Sequence, residues 1–344
     1  MGSASTVDAA SISYDQAVEK DRSPLQSSPR HRELVRFATL AANSHNSQPW
    51  LFTAADRSIS IGPDISRRCP AVDPDDHHLY ASLGCAAENI VLAAAALGLR
   101  ATPDVTGGAV VLSLEAAPAE RSALFDAIPL RQSTRAKYDG RQVSAETLRQ
   151  LERSGTIHGV SVLMLTERSV ITKAAEFVAQ GNSAQMNDKA FMAELVAWMR
   201  FSETDAVSKR DGLFARASGN PALPGWIARP LLRFVFTQGG ENKKLREQIE
   251  SSAGIAVFVS DRDDREHWVA AGRACQRFGL QATALGLKYA FVNQAVEVPA
   301  VREQFASFLG LAPRRPDLIV RFGTGPTLPY SLRRGPGQVL REAP

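Results

Sequence analysis

Two stretches of the 344-residue chain, 188 positions apart, are close copies of each other. Residues 84–99 read GCAAENIVLAAAALGL and residues 272–287 read GRACQRFGLQATALGL; eight of the sixteen aligned positions are identical. Small and apolar residues recur at helical spacing in both, and Gly98 and Gly286 stand where a left-handed residue would end each helix. Because helices this apolar must be buried, the repeat predicts two central helices and a duplicated fold. Ala-rich helices also resemble one another by chance, which is the competing interpretation.

A weaker repeat precedes each of these helices. Residues 33–42 (ELVRFATLAA) resemble residues 146–155 (ETLRQLERSG) at an offset of 113, and a β-like run follows each, at 50–53 and at 160–165. The offsets of 188 and 113 differ by 75, so the second copy holds 75 extra residues between its two helices. We place this insertion within 179–250. Loops and short helices of such length usually form lids or binding elements when they are not disordered.

The other apolar runs complete an α+β pattern. Strands are predicted at 109–114, 254–260 and 318–322, so each copy reads helix, strand, long helix, strand rather than a regular βαβ series. In chain order we expect an N-terminal arm at 1–30, mobile or laid over the surface, a first half at 31–128, a second half at 129–323 and an extended, non-helical C-terminal arm at 324–344.

Charge and cysteine content narrow the function. Forty Lys and Arg stand against 36 Asp and Glu, and a net charge of +4 on this length is no signature of nucleic-acid binding. The three cysteines form no CxxC pair, which favours a reduced, cytoplasmic setting. The start of the chain lacks an export signal, and the most apolar stretch carries Glu88 and Asn89, so we expect no membrane span.

A run of hydrogen-bonding residues directly follows the first predicted helix. It reads Asn43, Ser44, His45, Asn46, Ser47, Gln48, Pro49 and Trp50. The proline ends the helix, and the polar side chains could offer donors and acceptors to a polar planar ligand. On composition alone, a simple capping loop explains the run better.

Two arginine clusters could bind an anion. Arg131 and Arg135 bracket Gln132, Ser133 and Thr134, and forked guanidinium groups beside hydroxyls suit a phosphate. A solvated linker between the two copies is the alternative. The pair Arg333-Arg334 near the C-terminus could close over the same phosphate, although an arginine pair near a terminus is usually just solvated.

Other chemistry lacks a motif. The segment 73–78 (DPDDHH) contains metal-ligand residue types, but adjacent side chains point apart and no partner cluster is found, so we expect no metal site. The chain has no GxSxG, no P-loop and no GxGxxG after a strand, which leaves hydrolase, NTPase and Rossmann functions unsupported.

Together the three polar clusters resemble those of the nitroreductase-like flavoproteins, and within them the tandem Acg-like proteins, which carry two nitroreductase-type halves on one chain. SHNSQPW at 44–50 matches the family's flavin-contacting SxNxQPW turn. RQSTR at 131–135 matches its RxSxR phosphate motif, and SLRR at 331–334 matches its C-terminal arginine. The two repeated helices correspond to the family's interface helices. The resemblance covers roughly 30–340, and the motifs are specific in combination.

The resemblance implies a nitroreductase fold in two tandem copies, with antiparallel or mixed sheets flanked by helices. In ordinary members two subunits share two FMN sites, one subunit supplying RxSxR and the other SxNxQPW. Here the first half lacks RxSxR and the second half lacks SxNxQPW. The implied arrangement is one composite FMN site per chain, in a monomer that imitates a dimer.

The resemblance also assigns roles within that site. Arg131 and Ser133, with Arg333 or Arg334, would hold the FMN phosphate, and Arg135 would approach N1 and C2=O of the ring and raise its potential. The turn would contact the ring and ribityl chain, and the loop at 293–294 would supply a backbone donor to flavin N5. The full set of expected cofactor-binding residues is Asn43, Ser44, His45, Asn46, Gln48, Arg131, Gln132, Ser133, Arg135, Gln294, Arg333 and Arg334.

Three functions are then open. The first is an FMN-dependent oxidoreductase that takes hydride from NAD(P)H and reduces a small acceptor such as a nitro, quinone or other ring compound. In it the flavin carries the chemistry and no protein residue acts as general acid. The second is a protein that sequesters FMN under a lid formed by the insertion, without NAD(P)H turnover. The third is a flavin-free interaction protein. Fold alone does not identify the acceptor.

Overall fold

The computed structural model describes residues 12–26 and 30–342, without the side chains of 232–235 and 342. The helices in these ranges are α1 (Tyr14–Asp21), α2 (Arg30–Thr39), α3 (His77–Ala96), α4 (Ala123–Ala127), α5 (Ala145–Gly155), α6 (Arg168–Asn187), α7 (Lys189–Trp198), α8 (Glu203–Lys209), α9 (Gly225–Val235), α10 (Gln238–Glu250), α11 (Arg265–Ala284), α12 (Gln294–Glu297), α13 (Pro299–Phe308) and α14 (Pro336–Val339). The strands are β1 (Trp50–Ala55), β2 (Ser58–Pro63), β3 (Leu99–Thr106), β4 (Ala109–Ala116), β5 (Val160–Leu165), β6 (Met199–Arg200), β7 (Leu213–Phe214), β8 (Gly254–Ser260), β9 (Lys288–Phe291), β10 (Pro316–Gly323) and β11 (Leu340–Glu342).

The first sheet is built by the first half and completed by the end of the chain. Its strand order is β11-β1-β2-β4-β3, with β11 parallel to β1 and every other pair antiparallel. Side chains along β1 and β2 alternate between buried and partly exposed over their first four positions, as expected for strands with one face on a core. Because β11 lies beside β1, the C-terminal segment is fixed against the first half.

The second sheet belongs to the second half. Its order is β5-β8-β10-β9, and all pairs are antiparallel. Every residue of β8 and β10 is buried, which explains why both read as continuous apolar runs in the sequence. Helices and sheets together make an α+β architecture, so the predicted fold class is confirmed.

The two repeated helices pack against each other through reciprocal glycines. A Cβ on Gly84 of α3 would lie 2.0 Å from the Val269 carbonyl oxygen, and a Cβ on Gly272 of α11 would lie 1.9 Å from the Ala81 carbonyl oxygen. Only glycine permits so close an approach of two backbones. At the offset of 188, Gly84 corresponds to Gly272 and Ala81 corresponds to Val269, so each of the two contacts is the counterpart of the other. Such reciprocal contacts are expected of a two-fold interface.

Helix α3 is a core helix with a buried charge. Among the described residues it is the one helix long and apolar enough to cross a membrane, and 83% of its apolar window is buried inside the fold. Its Glu88 is fully buried and pairs with Arg273 at 3.0 Å and Arg277 at 2.7 Å on α11. The charges that argue against a membrane span therefore join the two central helices.

Several predicted elements have the expected bounds, and others differ. The strands predicted at 160–165 and 254–260 are found at those positions, and Gly98 and Gly286 both have a φ of +74° after their helices. Strands β2, β3 and β9 have no counterpart in the prediction. They are short, polar or interrupted by Pro103, so their pairing depends on the neighbouring strand rather than on an apolar pattern.

The two predicted arms are more structured than expected. Of the N-terminal arm, residues 1–11 and 27–29 lie outside the described residues, but 14–21 form α1, whose Tyr14 is buried against Phe214. The C-terminal arm is extended as far as 335 and then forms α14 and β11, contrary to the prediction that it contains no helix. Tertiary contacts with the first sheet and the insertion order both segments.

The predicted insertion begins later than expected. Helix α6 continues unbroken through 179 to Asn187, because its buried face packs against α10 and α12. The following residues, 188–250, form α7 to α10 and the short parallel pair β6-β7. This stretch is called the insertion below.

Candidate functional site

The polar run after the first helix forms a tight turn with unusual backbone angles. His45, Asn46 and Gln48 have φ values of +49°, +51° and +55°, the left-handed region that few side chains tolerate without strain. The Asn43 Oδ1 atom accepts a 2.8 Å hydrogen bond from the Gln48 backbone N–H and closes the turn. The strand β1 then begins at Trp50. We call residues 43–48 the polar turn.

Asn46 joins the polar turn to two distant segments. Its Nδ2 donates to the carbonyl oxygens of Gly212 and Leu332, both at 3.1 Å, and its Oδ1 accepts a 2.6 Å hydrogen bond from Arg333 Nη1. The Gly212 backbone N–H returns a 3.0 Å bond to the Asn46 carbonyl. The Asn46 amide therefore holds the insertion and the C-terminal segment together.

Gln48 has the same kind of structural role. Its fully buried side chain donates from Nε2 to the Arg210 carbonyl at 2.8 Å and accepts at Oε1 from the Arg334 backbone N–H at 2.7 Å. The Arg334 guanidinium in turn donates to the Gln48 carbonyl at 3.1 Å. The polar turn is thus a junction of the first half, the insertion and the C-terminal segment.

A cavity opens beside the polar turn. The first half contributes Ala42, Asn43 and Asn46 to its walls. The remaining wall residues come from α1's end, the arginine cluster, the insertion, β9 and the C-terminal segment; they are Arg22, Arg131, Gln132, Ser133, Arg135, Leu213, Phe214, Ala217, Ser218, Phe291, Pro329, Ser331 and Arg333.

Strand β9 positions the arginine cluster at 131–135. The Thr134 backbone N–H donates to the Tyr289 carbonyl at 2.8 Å, and Arg131 Nη1 donates to the Tyr289 hydroxyl at 2.7 Å. Arg131 Nη2 reaches the Leu40 carbonyl of the first half at 2.9 Å. Arg131 is almost completely buried, so its charge is held at the junction of the two halves.

Three arginines from distant parts of the sequence converge at one end of the cavity. Burial, followed by the charge of Arg131, lowers the pKa of the Arg22 guanidinium to about 10. Burial and the charges of Arg131 and Arg22 also hold the pKa of Arg333 well below its usual value. Each cation makes the others less favourable, so this end of the cavity favours an anion.

Four buried donors at this end have no hydrogen-bond partner among residues 12–26 and 30–342. They are the Nε atoms of Arg22, Arg131 and Arg333 and the Oγ atom of Ser133, and we call them the open donors. Buried polar groups in folded proteins are almost always paired. The four residues all line the cavity, and a tetrahedral oxyanion such as a phosphate would supply acceptors that these donors lack.

Arg135 lies on another part of the cavity wall, where its charge is desolvated. Burial lowers the pKa of its guanidinium, and the opposite charge of Glu297 partly offsets this shift. Burial raises the pKa of Glu297, whose Oε2 accepts a 2.6 Å hydrogen bond from Gln185. Arg135 therefore holds a positive charge in the cavity wall.

The structure brings together seven of the predicted cofactor residues and separates five. Asn43, Asn46 and the predicted residues of the arginine clusters other than Arg334 line the cavity. The five that do not are Ser44, His45, Gln48, Gln294 and Arg334. Gln48 and Arg334 support the polar turn instead, as described above. The His45 Nδ1 is buried without a partner in the described part of the chain, and burial together with the charges of Arg135 and His78 lowers the pKa of the ring to about 4.

Sequence reasoning missed Arg22 and the walls from the insertion. Arg22 follows α1, stacks on the Tyr330 ring at 3.8 Å and donates to the Pro129 carbonyl at 2.6 Å. A single arginine in a polar segment carries no signal of its own in the sequence. Leu213 and Phe214 could have been suspected, because the predicted lid is rich in aromatic residues.

The acidic and histidine-rich segment at 73–78 has a structural role. Asp73 accepts hydrogen bonds from the backbone N–H groups of His78 and Leu79 at 2.9 and 2.8 Å, which satisfies donors at the start of α3. The His77 Nε2 lies 2.9 Å from Asp317 Oδ1 on β10. These contacts cap the start of α3 and tie it to β10.

No family model matches the chain. A Mycobacterium tuberculosis (strain H37Rv) protein named "Putative NAD(P)H nitroreductase Rv3131" is 26% identical over 328 residues, which span 90% of both proteins. The protein of that strain named "Putative NAD(P)H nitroreductase acg" is 23% identical over 310 residues, or 86% of this chain and 89% of its own. The resemblance to nitroreductase-like proteins, Acg included, is confirmed by these relatives.

Two solved structures align with part of the chain. The FMN-dependent nitroreductase NfnB from Mycobacterium smegmatis, in complex with NADPH, aligns with a TM-score of 0.44 at 15% identity, over 64% of this chain and 98% of that one. A nitroreductase with bound FMN from Bacteroides fragilis aligns with a TM-score of 0.37 at 15% identity, over 60% of this chain and 90% of its own.

Proposed function

We propose that this chain, which is similar to nitroreductase-like proteins over nine tenths of its length, is an FMN-dependent oxidoreductase. NAD(P)H would be the electron donor and a small molecule the acceptor. The names of its curated relatives support the donor and the reaction class. The acceptor, among nitro, quinone and other ring compounds, is left open, because the fold does not determine it.

The observation that carries this proposal is the set of open donors. Three guanidinium Nε atoms and one hydroxyl are buried at one end of the cavity, without partners among the described residues. An FMN phosphate carries two negative charges near neutral pH and several acceptor oxygens. It would pair the open donors and relieve the mutual repulsion of Arg22, Arg131 and Arg333. The residues present therefore fit the cofactor.

The rest of the cavity suits the flavin ring and ribityl chain. Asn43 and Asn46 supply the first-half wall, and Phe214 and Phe291 supply apolar surface that excludes water. The partly buried Arg135 guanidinium would face electron density that builds up on the ring, a role supported by its charge and its partial desolvation. When bound, FMN would accept a hydride and pass electrons on, and the protons that the acceptor needs would come from solvent, so none of these residues has to act as a general acid.

The site is composite, and we propose that the chain is a monomer that imitates a dimer, with one FMN. The polar turn comes from the half at 31–128, and the arginine cluster comes from the half at 129–323. The reciprocal contacts of Gly84 and Gly272, which follow the offset of 188, support two tandem copies. All three cysteines are buried and unpaired, which is compatible with a reduced compartment such as the cytoplasm. We propose no nucleic-acid or membrane partner.

An anaerobic titration of the purified protein tests the function. We expect a yellow protein whose visible flavin absorbance bleaches with NADH or NADPH and returns when an electron acceptor is added. The Arg131→Ala variant is the matched control, because it should lose flavin while retaining its fold by circular dichroism. Colourless protein after incubation with FMN would contradict the proposal and favour a flavin-free interaction protein.

A second function is favoured by the insertion, which walls the cavity. Leu213, Phe214, Ala217 and Ser218 line it, and the stretch is tied down by Asn46, by Gln48 and by an ion pair between Arg67 and Asp211. A cavity closed in this way could hold FMN out of reach of NAD(P)H. Yellow protein that dithionite reduces but neither nicotinamide does would support sequestration over turnover.

A further inference from the structure

We propose that His45, Cys69 and Glu194 form a binding site for Zn²⁺ behind the polar turn. One nitrogen, one sulfur and one carboxylate oxygen of these residues all lie within 4.8 Å of one another. The three residues come from the polar turn, from the loop after the 3₁₀ helix Ile65–Arg67 and from α7 of the insertion. The proposal is independent of the bound flavin and reverses the sequence-based expectation of no metal site.

The donor set has the chemistry that zinc prefers. Zinc is bound in proteins by histidine nitrogen, cysteine sulfur and carboxylate oxygen at about 2.0–2.3 Å, in tetrahedral geometry. Those bond lengths put neighbouring donor atoms about 3.4–3.8 Å apart. The three donors would therefore have to close by about 1 Å around an ion, with a water molecule as the fourth ligand. Binding would release the thiol proton to solvent, since the thiolate is the ligand.

The position of His45 is the second observation that points to a ligand. His45 lies in the polar turn, but its neighbours Asn43 and Asn46 line the cavity and it does not. At this left-handed position its Nδ1 is buried with no partner that the described residues provide. A ring nitrogen so placed lacks the hydrogen bond that burial normally requires, and a metal ion would satisfy it.

The other two donors are held in place by their surroundings. The Glu194 carboxylate accepts hydrogen bonds from the backbone N–H groups of Ala71 and Val72, at 2.9 and 3.2 Å. These bonds orient it, as the hydrogen bonds of metal-binding carboxylates usually do. Cys69 is buried in an apolar cluster with Val72 and with Phe191 of α7. Such an apolar shell keeps bulk water away from a thiolate ligand.

An ion at this place would fasten the insertion to the flavin-binding turn. Glu194 belongs to α7, sixteen residues before the stretch at 210–214 that reaches the polar turn and the cavity wall. Zinc has no redox chemistry, so it would take no part in electron transfer. Its effect would be to hold the insertion closed over the cavity.

Metal analysis of the full-length protein tests the site. The flavin-loaded protein is incubated with Zn²⁺, dialysed and measured by plasma mass spectrometry, with one zinc ion per chain expected. His45→Asn keeps a residue that tolerates the left-handed backbone, and Glu194→Gln keeps the side-chain shape. Each should raise the Kd for Zn²⁺ at least about 100-fold, because even the partners of metal ligands are worth about 10–100-fold. Cys275→Ala, which removes a buried thiol from α11, is the matched control and should retain zinc.

Cobalt provides a readout that does not depend on activity. Co²⁺ at this site should give a thiolate-to-metal charge-transfer band, retained in Cys275→Ala and lost in Cys69→Ser. If Cys69→Ser fails to fold by circular dichroism, Glu194→Gln and His45→Asn decide the question by metal content. Wild-type protein that retains no zinc after dialysis, or variants that retain as much as wild type, would overturn the proposal. Neither result bears on flavin reduction, so this proposal and the proposed function fail separately.

Discussion

Two neighbouring parts of the cavity wall, the polar turn and the arginine end, differ in how completely the protein satisfies its own polar groups. At the polar turn, every amide atom of Asn46 and Gln48 is bound to another part of the chain. At the arginine end, the open donors are buried beside cations that repel one another. The side-chain amides of Asn46 and Gln48 are satisfied without a ligand, whereas the open donors of the arginine end lack partners among the described residues.

This difference predicts that substitutions in the two regions have different effects. Substitutions in the polar turn should mainly change the stability of the fold, because they remove bonds between the first half, the insertion and the C-terminal segment. Substitutions at the arginine end should mainly change the affinity for FMN and leave the fold less affected. The resemblance to the family motifs assigns both the polar turn and the arginine end to the cofactor and does not distinguish them. The following variants test the contrast, from the largest effect to the smallest.

Asn46→Ala should destabilise the fold most. It removes two amide donors, deprives the buried Arg333 of an acceptor and puts alanine at a φ of +51°. We expect the free energy of unfolding to fall by about 3–5 kcal/mol, measured by urea denaturation of the flavin-free protein. Asn46→Gly is the control, since it removes the amide without the backbone strain and should lose somewhat less. A loss below about 1 kcal/mol would remove the contrast between the two regions.

Arg131→Ala should weaken FMN binding most. A hydrogen bond to a charged group contributes about 1.5–3 kcal/mol, so the Kd for FMN should rise about 10–150-fold. Riboflavin, which lacks the phosphate, should bind wild type and variant with similar affinity. Flavin fluorescence titrations measure both. An equal loss for riboflavin and FMN would show that Arg131 does not act through the phosphate.

Arg22→Ala tests the residue that the sequence did not reveal. Its Nη1 is already used by the Pro129 and Arg131 carbonyls, so one open donor remains for a ligand. The Kd for FMN should rise about 5–30-fold, near the lower part of the range for a charged hydrogen bond. Arg216→Ala is the surface control, since Arg216 pairs with the exposed Glu203, and it should leave the Kd unchanged. Equal Kd values for Arg22→Ala and wild type would exclude Arg22 from the site.

Ser133→Ala separates affinity from stability most cleanly. The hydroxyl has no partner to lose within the described structure, so the free energy of unfolding without flavin should change little. A bond from this uncharged hydroxyl to the charged phosphate lies at the low end for bonds to charged groups, about 1.5 kcal/mol, so the Kd for FMN should rise about 10-fold. Isothermal titration calorimetry measures the Kd for FMN, and thermal denaturation of the same samples measures the stability of the fold. Lower stability with unchanged affinity would be the opposite of this prediction.

Arg334→Ala should have the smallest effect on FMN. Its guanidinium bonds to the Gln48 carbonyl and to Asp64 and does not line the cavity. We expect less than about a twofold change in the Kd for FMN and at most about 1 kcal/mol of lost stability, as for a partly exposed ion pair. Arg333→Ala is the comparison, with a much larger loss of affinity. A large effect of Arg334→Ala on the Kd would show that Arg334 contributes to FMN binding in the way proposed for Arg333.

Much of the site could be named from the sequence because its motifs are local. The turn at 43–48 follows from a helix end, short polar side chains and a proline, and the repeated helices follow from their spacing of apolar residues. The sequence could not show which of these residues line the cavity and which hold the turn in place. Gln48 and Arg334 belong to matching motifs, but the Gln48 side chain bonds to the backbone of the insertion and of the C-terminal segment, and Arg334 bonds to the Gln48 carbonyl.

The sequence by itself determined the two buried central helices, the α+β pattern and the residue types that suit a phosphate, because these depend on spacing within a few turns of chain. Only the tertiary structure decided that Arg22, Arg131 and Arg333 meet, that the insertion walls the cavity and that His45 turns toward Cys69 and Glu194. Those encounters join segments that are tens to hundreds of residues apart. They depend on how close the glycines let α3 and α11 approach and on where β11 anchors the end of the chain, neither of which a local pattern records.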